Sequence, residues 1–187
     1  IVSRGDIGNI IRVDIRHGLD RIDSPIITDP THWYHKHSGG IIGEALPHPV
    51  YIARELLEDL QVVDVYAKKF GKIEYMHFDE LQVNLQGKSC IGTIASSCNW
   101  PELFTIDILG TKSNLHVNLY NQTIVQYTGM YTEGKNRAFL YGKANLNQSL
   151  QILSSTVSAA IRVFRGKHLA HPLLVNKFIE SIRNDTE

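Results

Sequence analysis

Residues 81–97, LQVNLQGKSCIGTIASS, carry the clearest fold signal in the chain. Every second residue from Leu81 to Leu85 is apolar and the residues between them are polar, which is the period of a strand with one buried face. The Gly-Lys dipeptide that follows predicts a hairpin turn into a second strand over 90–97. The stretch therefore predicts a pair of antiparallel strands.

Further segments on both sides of this hairpin have strand composition. They are 8–13, 63–67, 103–109, 115–120 and 123–127. Those that follow one another through short polar turns are expected to pair antiparallel. The polar stretches 14–30 and 129–147 are predicted to be loops.

Helical periodicity is confined to three places. Apolar residues recur every three or four positions from Val50 to Leu60, and two prolines precede them. A helix is therefore predicted with Pro49 at its first position and His48 at or near its N-cap. Two further helices are predicted over 150–164 and from 171 to 182. Because strands and helices do not alternate, the fold class is α+β: an open, predominantly antiparallel sheet with helices packed on one face.

Composition limits what the protein does. The chain has 187 residues, 43% of them hydrophobic, with 19 basic and 19 acidic side chains, so one domain over 1–187 is expected. Zero net charge argues against nucleic acid or an anionic membrane as a partner. Two cysteines without a metal-binding spacing are typical of a reducing, cytoplasmic setting. Because the chain begins at Ile1, we expect a fragment of a longer protein.

Reactive side chains are densest between residues 32 and 48, where glycines separate them. They are His32, His35, Lys36, His37, Glu44 and His48. The simplest interpretation is a set of exposed loop histidines. A second is a zinc site built from His35, His37, Glu44 and His48, although no specific ligand spacing supports it.

Acid–base chemistry is the third interpretation. A histidine at a helix N-terminus feels the positive end of the helix dipole, which disfavours the imidazolium form. His48 is placed for this effect, and would accept a proton from a hydroxyl group. Glu44, if it lies close, would orient the ring or the substrate. Pro47 leaves open whether Glu44 and His48 share a helical face.

The run from Trp33 through GGIIGEALPHPVY resembles the signature of the glucose–fructose oxidoreductase, inositol dehydrogenase and rhizopine-catabolism (Gfo/Idh/MocA) family. Gly39-Gly40, Glu44 and His48 match its glycine pair, its acidic residue and its histidine. Four other segments resemble the family in the same order: RGDIGNIIRV, LQGKSCIGTIASS, FTIDILGTKSNLHV and HPLLVNKFIESI. Glu44 departs from the usual Asp, and Tyr51 stands where a second Asp is common.

This resemblance implies the dihydrodipicolinate-reductase-like C-terminal domain of an oxidoreductase that acts on a sugar, cyclitol or similar substrate. NAD or NADP would be bound mainly by an N-terminal Rossmann domain that the chain lacks, so the fragment is expected to bind no cofactor and to be inactive. The resemblance implies catalytic roles for His48 and Glu44 and substrate contacts for Lys36, His35, His37 and Tyr51.

The same resemblance implies a homo-oligomer that is formed through the open face of the sheet, which includes Gln82, Asn84 and His116. The alternative function is a non-catalytic ligand-binding or scaffold module of the same fold, which the change from Asp to Glu44 makes reasonable. An upstream Gly-rich βαβ unit with a catalytic lysine would favour the enzyme.

Overall fold

A computed structural model describes residues 1–19, 23–71, 73–127 and 137–165. The strands in these ranges are β1 Ile10–Gly18, β2 Gln61–Lys68, β3 Glu80–Gln86, β4 Ile91–Ser97, β5 Leu103–Gly110, β6 Asn114–Asn118 and β7 Thr123–Tyr127. The helices are α1 Pro25–Thr28, α2 Gly40–Ala45, α3 Pro47–Leu56 and α4 Arg137–Phe164, with a 3₁₀ helix at Trp33–Lys36.

The seven strands form one sheet in the order β2-β3-β4-β1-β5-β6-β7. Strand β1 lies at the centre, parallel to β4 and antiparallel to β5. The other neighbouring pairs are antiparallel, so the predicted α+β fold class with a mostly antiparallel open sheet is confirmed. The parallel pair arises because the β2-β3-β4 meander folds back from one edge of the sheet to meet β1.

The predicted loop over 14–30 is wrong in two places. Strand β1 continues to Gly18, because Val13, Ile15 and His17 alternate with charged residues and are buried on one face of the sheet. The short helix α1 follows, with the Ser24 side chain accepting a hydrogen bond from the backbone N–H of Ile26 at its N-terminus. Charged residues within β1 concealed the period of the strand.

The predicted loop over 129–147 is also wrong at its end, because helix α4 begins at Arg137. The predicted helix over 150–164 is its C-terminal half. The helix predicted from 171 to 182 lies outside the described residues. No helix in the described ranges combines the length and the hydropathy that crossing a bilayer requires.

Helices α2 and α3 cover one face of the sheet, which we call the inner face. The core there joins residues of both layers: Val13, Ile15, Ile94, Ile106 and Ile108 from the strands, and Ile41, Ile42, Ala53 and Leu57 from the helical segment. Burial of these aliphatic side chains is the main stabilising contribution to the fold. It also fixes α2 and α3 over the end of β1.

The opposite face, which we call the open face, carries a row of paired positions across all seven strands. In order from β2 to β7 the row is Asp64, Asn84, Thr93, Asp14, Asp107, His116 and Val125. Most of these side chains are polar, so this face differs in chemistry from the aliphatic inner face.

Two carboxylates, Asp14 and Asp107, stand directly opposite each other in this row. Arg12 Nε lies 2.7 Å from an oxygen of Asp14, and His116 Nδ1 lies 2.6 Å from an oxygen of Asp107. Burial alone would raise the pKa of Asp14, but hydrogen bonds from Arg12 and Thr93 lower it below its usual value. The basic partners therefore offset the repulsion between the two acids.

Helix α4 lies along β7, at one edge of the sheet. The backbone N–H of Gln126 donates to Gln151 Oε1 at 2.8 Å, and Gln151 Nε2 donates to the carbonyl of Gln126 at 2.9 Å. One turn further on, the N–H of Ile124 donates to Ser155 Oγ at 3.4 Å. Side chains of α4 thus pair with the outer backbone groups of β7, which an edge strand otherwise leaves free.

Candidate functional site

A cavity of about 350 Å³ lies where the inner face of the sheet meets α2 and α3. Its lining comes from the end of β1, the start of β5, the segment after β6 and the helical segment: His17, Leu19, Tyr34, Ile41, Glu44, Ala45, His48, Glu102, Phe104 and Tyr120. Two imidazoles, two carboxylates and two phenols thus surround a small space. These groups can bind hydroxyl groups and exchange protons with them.

Glu44 and His48, the two residues predicted to be catalytic, both line this cavity. They belong to different helices, yet Leu46 between α2 and α3 has right-handed helical dihedrals, φ −58° and ψ −32°. The helical path therefore continues through the junction despite Pro47. Residues four apart lie on one helical face, which answers the question that the proline raised.

His48 lies near the N-terminus of its helix, as predicted, but it is not the N-cap residue. Helix α3 begins at Pro47 and its N-cap is Leu46, because the first proline, rather than Pro49, takes the position where a missing N–H costs nothing. His48 instead occupies the first turn of α3. Its side chain is exposed and faces the cavity.

Two glycines of the GGIIG sequence allow the chain to turn tightly before Glu44. Gly39 has a φ of +82°, which residues with a side chain rarely adopt. A Cβ atom on Gly43 would lie 2.3 Å from the carbonyl oxygen of Ser38. The turn after the 3₁₀ helix therefore packs directly on α2 and sets the position of Glu44.

The sequence did not single out His17, which is 4% exposed and lines the same cavity. Its ring stacks on Phe104, with centroids 4.4 Å apart and planes inclined by 21°. Burial, and then the nearby His48, lower the pKa of His17 to about 4. The available signal was its place at the end of the period-two pattern of β1, where inward residues reach the edge of the core.

Glu102 and Tyr120 are the other polar residues that the sequence analysis missed. Glu102 precedes β5 and Tyr120 follows β6, so both lie at the same end of the sheet as His17. Tyr120 contacts Phe104 edge-on, with centroids 6.3 Å apart. No local motif marks either residue, because only strand pairing brings them to the cavity.

The predicted substrate contacts His35, Lys36 and His37 line a second cavity of about 350 Å³, together with Tyr75 and His77. Ile41 belongs to the walls of both cavities. The Nε2 atom of His35 lies 3.0 Å from the carbonyl oxygen of Ile26, so this ring also anchors the loop. The three residues therefore adjoin the first cavity without entering it.

Tyr51, the remaining predicted contact, lines neither of these cavities and is 67% exposed. It lies one turn after His48 on α3. Its role in substrate binding stays a prediction.

The zinc interpretation receives no support from the described residues. Within them, no group of three or more His, Cys, Asp or Glu side chains is arranged to hold a metal ion. The four proposed ligands are divided, with His35 and His37 in one cavity and Glu44 and His48 in the other.

The glycine-rich stretch does not have the form of a dinucleotide-binding turn. The glycine-rich stretch 38–43 follows a 3₁₀ helix rather than a strand, and Gly43 packs against the backbone of Ser38. A Rossmann phosphate site instead places its glycines between a strand and a helix whose N-terminus is open to the pyrophosphate.

Solved structures share this fold at low sequence identity. Levoglucosan dehydrogenase in complex with NADH and levoglucosan matches with a TM-score of 0.58 and 16% identity, over 70% of this chain and 39% of that one. The WlbA dehydrogenase from Bordetella pertussis, in complex with NADH and UDP-GlcNAcA, matches with a TM-score of 0.52 and 20% identity, over 63% and 37%.

An inositol dehydrogenase homolog from Azotobacter vinelandii, complexed with NAD+, matches with a TM-score of 0.56 and 12% identity, over 70% of this chain and 37% of that one. The chain thus spans about two fifths of the length of these proteins. Among curated proteins, none matches the sequence.

The sequence itself carries the family assignment. A model of the GFO/IDH/MocA C-terminal domain matches residues 1–116, which include strands β1 to β5 and both cavities' helical walls. The order of motifs first noted in the sequence and the seven-stranded open sheet agree with this match. The chain belongs to the Gfo/Idh/MocA family and carries its C-terminal domain.

Proposed function

We propose that this chain is the substrate-binding and oligomerisation domain of an NAD(P)-dependent oxidoreductase that acts on a sugar, a cyclitol or a similar hydroxyl-bearing substrate. The observation that carries the proposal is the joint placement of Glu44 and His48 in one cavity at the end of the sheet. The ligands named in the structural relatives, levoglucosan and UDP-GlcNAcA, support this substrate class.

The chemistry of the site divides between this domain and a separate nucleotide-binding domain. The nicotinamide ring, held by that other domain, would exchange a hydride with a carbon of the substrate. His48 would accept the hydroxyl proton in oxidation and return it in reduction. Glu44, one helical turn away, would accept a hydrogen bond from a substrate hydroxyl and so orient it. His35, Lys36, His37 and Tyr51 are proposed as outer contacts to a larger substrate.

Turnover by the full-length protein tests this assignment. We expect His48→Ala to reduce kcat by a factor of about 10² to 10⁴, the contribution typical of a general acid–base group, and to leave nucleotide affinity unchanged. Arg54→Ala, an exposed change further along α3, is the control. Undiminished turnover by the His48 variant would remove the residue from its role.

Calorimetry tests whether the nucleotide is bound by a separate domain rather than by this chain. The 187-residue chain is expected to bind neither NAD nor NADP tightly, because its glycine-rich stretch 38–43 follows a 3₁₀ helix and lacks the strand–turn–helix form of a dinucleotide site. Tight binding of either nucleotide to this chain would contradict the proposal.

The open face of the sheet is proposed as the contact between subunits. It carries the row of polar residues that includes Asn84 and His116. The charged residues of its central strands form ion pairs: Arg12 with Asp14, and Arg16 and His116 with Asp107. A second copy can cover these paired charges at a lower desolvation cost than isolated charges would impose.

Glu44 in place of the usual Asp keeps a non-catalytic ligand-binding module as the second candidate. The two candidates differ in one result. Both bind a sugar-like ligand in the cavity, but only the oxidoreductase converts it when the full-length protein is supplied with NAD or NADP.

A further inference from the structure

The second cavity, which adjoins the first, has a basic wall. Its volume is about 350 Å³, and its titratable side chains are those of His35, Lys36, His37, Tyr75 and His77. Among the described residues, no aspartate or glutamate belongs to this lining. The first cavity, by contrast, has Glu44 and Glu102 in its wall. The two adjoining cavities therefore suit chemical groups of different charge.

Two carboxylates that flank the basic residues in the sequence have hydrogen-bond partners of their own. Asp29 Oδ1 accepts hydrogen bonds from the backbone N–H and the hydroxyl group of Thr31, at 2.8 and 2.7 Å. Asp79 is 1% exposed and accepts hydrogen bonds from two backbone N–H groups of the connection between β2 and β3. Within the described ranges, Lys36 forms no salt bridge. Its positive charge is therefore available to a ligand in the second cavity.

The imidazole rings of this wall add donors when they are protonated. His35 Nε2 lies 3.0 Å from the carbonyl oxygen of Ile26. Because a carbonyl oxygen only accepts, Nε2 carries a proton, and Nδ1 becomes a donor once the ring takes up a second proton. An oxyanion in the cavity favours the protonated form of a nearby imidazole. Lys36 and the three histidines can therefore answer an oxyanion with both charge and hydrogen bonds.

We propose that the second cavity binds a phosphate group, and that the substrate is a phosphate-bearing sugar whose reacting carbon lies in the first cavity. Ile41 belongs to the walls of both cavities, so one ligand can extend across them. Lys36 supplies the charge, and His77 contributes from a separate segment between β2 and β3. This inference rests on the proposed function, since it takes the first cavity as the site of the reacting carbon.

Titration of the 187-residue chain with inorganic phosphate, followed by nuclear magnetic resonance, tests the site. We expect the side-chain signals of Lys36 and His77 to shift and to saturate at the same phosphate concentration. Lys36 is exposed, so Lys36→Gln should fold normally and should weaken phosphate binding about tenfold through the loss of one charge-assisted contact. Lys88→Gln, an exposed change in the turn between β3 and β4, is the matched control and should leave the affinity unchanged.

Two phosphate-bearing sugars test the link between the cavities. Glucose 6-phosphate and UDP-glucose are each compared with glucose in the same titration. We expect at least one of the two to bind more tightly than glucose and to shift the signals of Lys36 and His48 together. A gain in affinity that disappears in Lys36→Gln would assign it to the phosphate contact.

The outcomes separate this inference from the proposed function. Phosphate that leaves the signals of Lys36 and His77 unchanged, or that binds equally well to Lys36→Gln, overturns the phosphate site. If neither phosphate-bearing sugar binds more tightly than glucose, the assignment of the substrate is overturned. Both results leave intact a turnover of uncharged sugars by the full-length protein. Failure of that protein to convert any sugar with NAD or NADP would instead overturn the proposed function, while phosphate binding at Lys36 would persist.

Discussion

At the scale of single residues, Gly43 shows how a sequence motif acts through space rather than through chemistry. Its lack of a side chain lets the backbone of Ser38 approach α2, and a Cβ there would lie 2.3 Å from a carbonyl oxygen. The spacing between Gly43 and Glu44 therefore reflects a requirement of packing. Glu44 and His48 reach the cavity only because that turn closes.

We expect Gly43→Ala to lower the free energy of unfolding by about 1–3 kcal/mol, because the new methyl group forces the turn or the helix to move. Gly142→Ala in α4 is the matched control. A Cβ there meets nothing within 4 Å, so the change should stabilise the helix by about 0.5–1 kcal/mol. Urea unfolding of both variants measures the two effects, and equal effects of the same sign would contradict the packing argument.

His17 makes stability depend on pH. Because the pKa of His17 falls from 6.5 to about 4 on folding, the unfolded chain binds a proton below pH 6.5 that the folded chain does not. Stability is therefore complete above the unfolded value and is lost as the pH falls from about 6.5 to about 4. We expect the loss from this residue between pH 7.5 and pH 5.0 to be on the order of 2 kcal/mol.

Urea unfolding at the two pH values, in the wild type and in His17→Phe, isolates this contribution. The other histidines are common to both proteins, so their effects cancel in the difference. A pH dependence that is the same in the variant would show that His17 does not titrate as its burial requires.

At the scale of secondary-structure elements, β1 and α4 show where sequence reasoning succeeded and where it stopped. The strands of the meander were identified because their apolar residues alternate without interruption. Strand β1 was cut short because Asp14 and Arg16, which pair with partners across the open face, look like loop residues when read alone. Their partners lie on β4 and β5, far away in the sequence.

In the candidate site too, the residues within one local motif were predicted and those brought together by strand pairing were not. Glu44 and His48 were found because one local motif contains both. His17, Glu102 and Tyr120 were missed because they come from three separate strand ends that only the pairing of the sheet brings together. The start of α4 at Arg137 was missed because polar residues and Gly142 interrupt its first turns.

The contacts of helix α4 allow a test of whether its side chains shield the backbone of the edge strand β7 from water. Gln151 makes two hydrogen bonds with the backbone of Gln126, so Gln151→Ala should expose that backbone to water. We expect faster hydrogen exchange at the amides of Ile124 and Gln126, by about fivefold to tenfold, as expected from the loss of about 1 kcal/mol. Gln148→Ala, one turn earlier on the same helix, is the control and should leave both rates unchanged.

At the scale of the whole molecule, the two faces of the sheet differ in what they contact. The inner face holds the core and the cavity, and the open face is proposed as the subunit contact. We expect the chain to run in size-exclusion chromatography with light scattering as an assembly larger than its monomer mass of 21.1 kDa. Asn84→Arg, which adds a charge to the open face on β3, should convert it to a monomer, because a buried unpaired charge costs several kcal/mol.

The same substitution at an exposed site of α4, Asn145→Arg, is the control and should keep the assembly intact. A monomeric wild type, or an Asn84 variant that assembles as the wild type does, would rule out the open face as the contact.

The two edges of the sheet are not equivalent. Side chains of α4 occupy the outer backbone groups of β7, whereas every residue of β2 at the opposite edge is exposed, including Val62 and Val65. In the described part of the chain, strand addition is therefore open on one side only. A second copy that pairs through its own β2 uses up both free edges at once, so growth by this route ends at a pair and cannot propagate into a fibre.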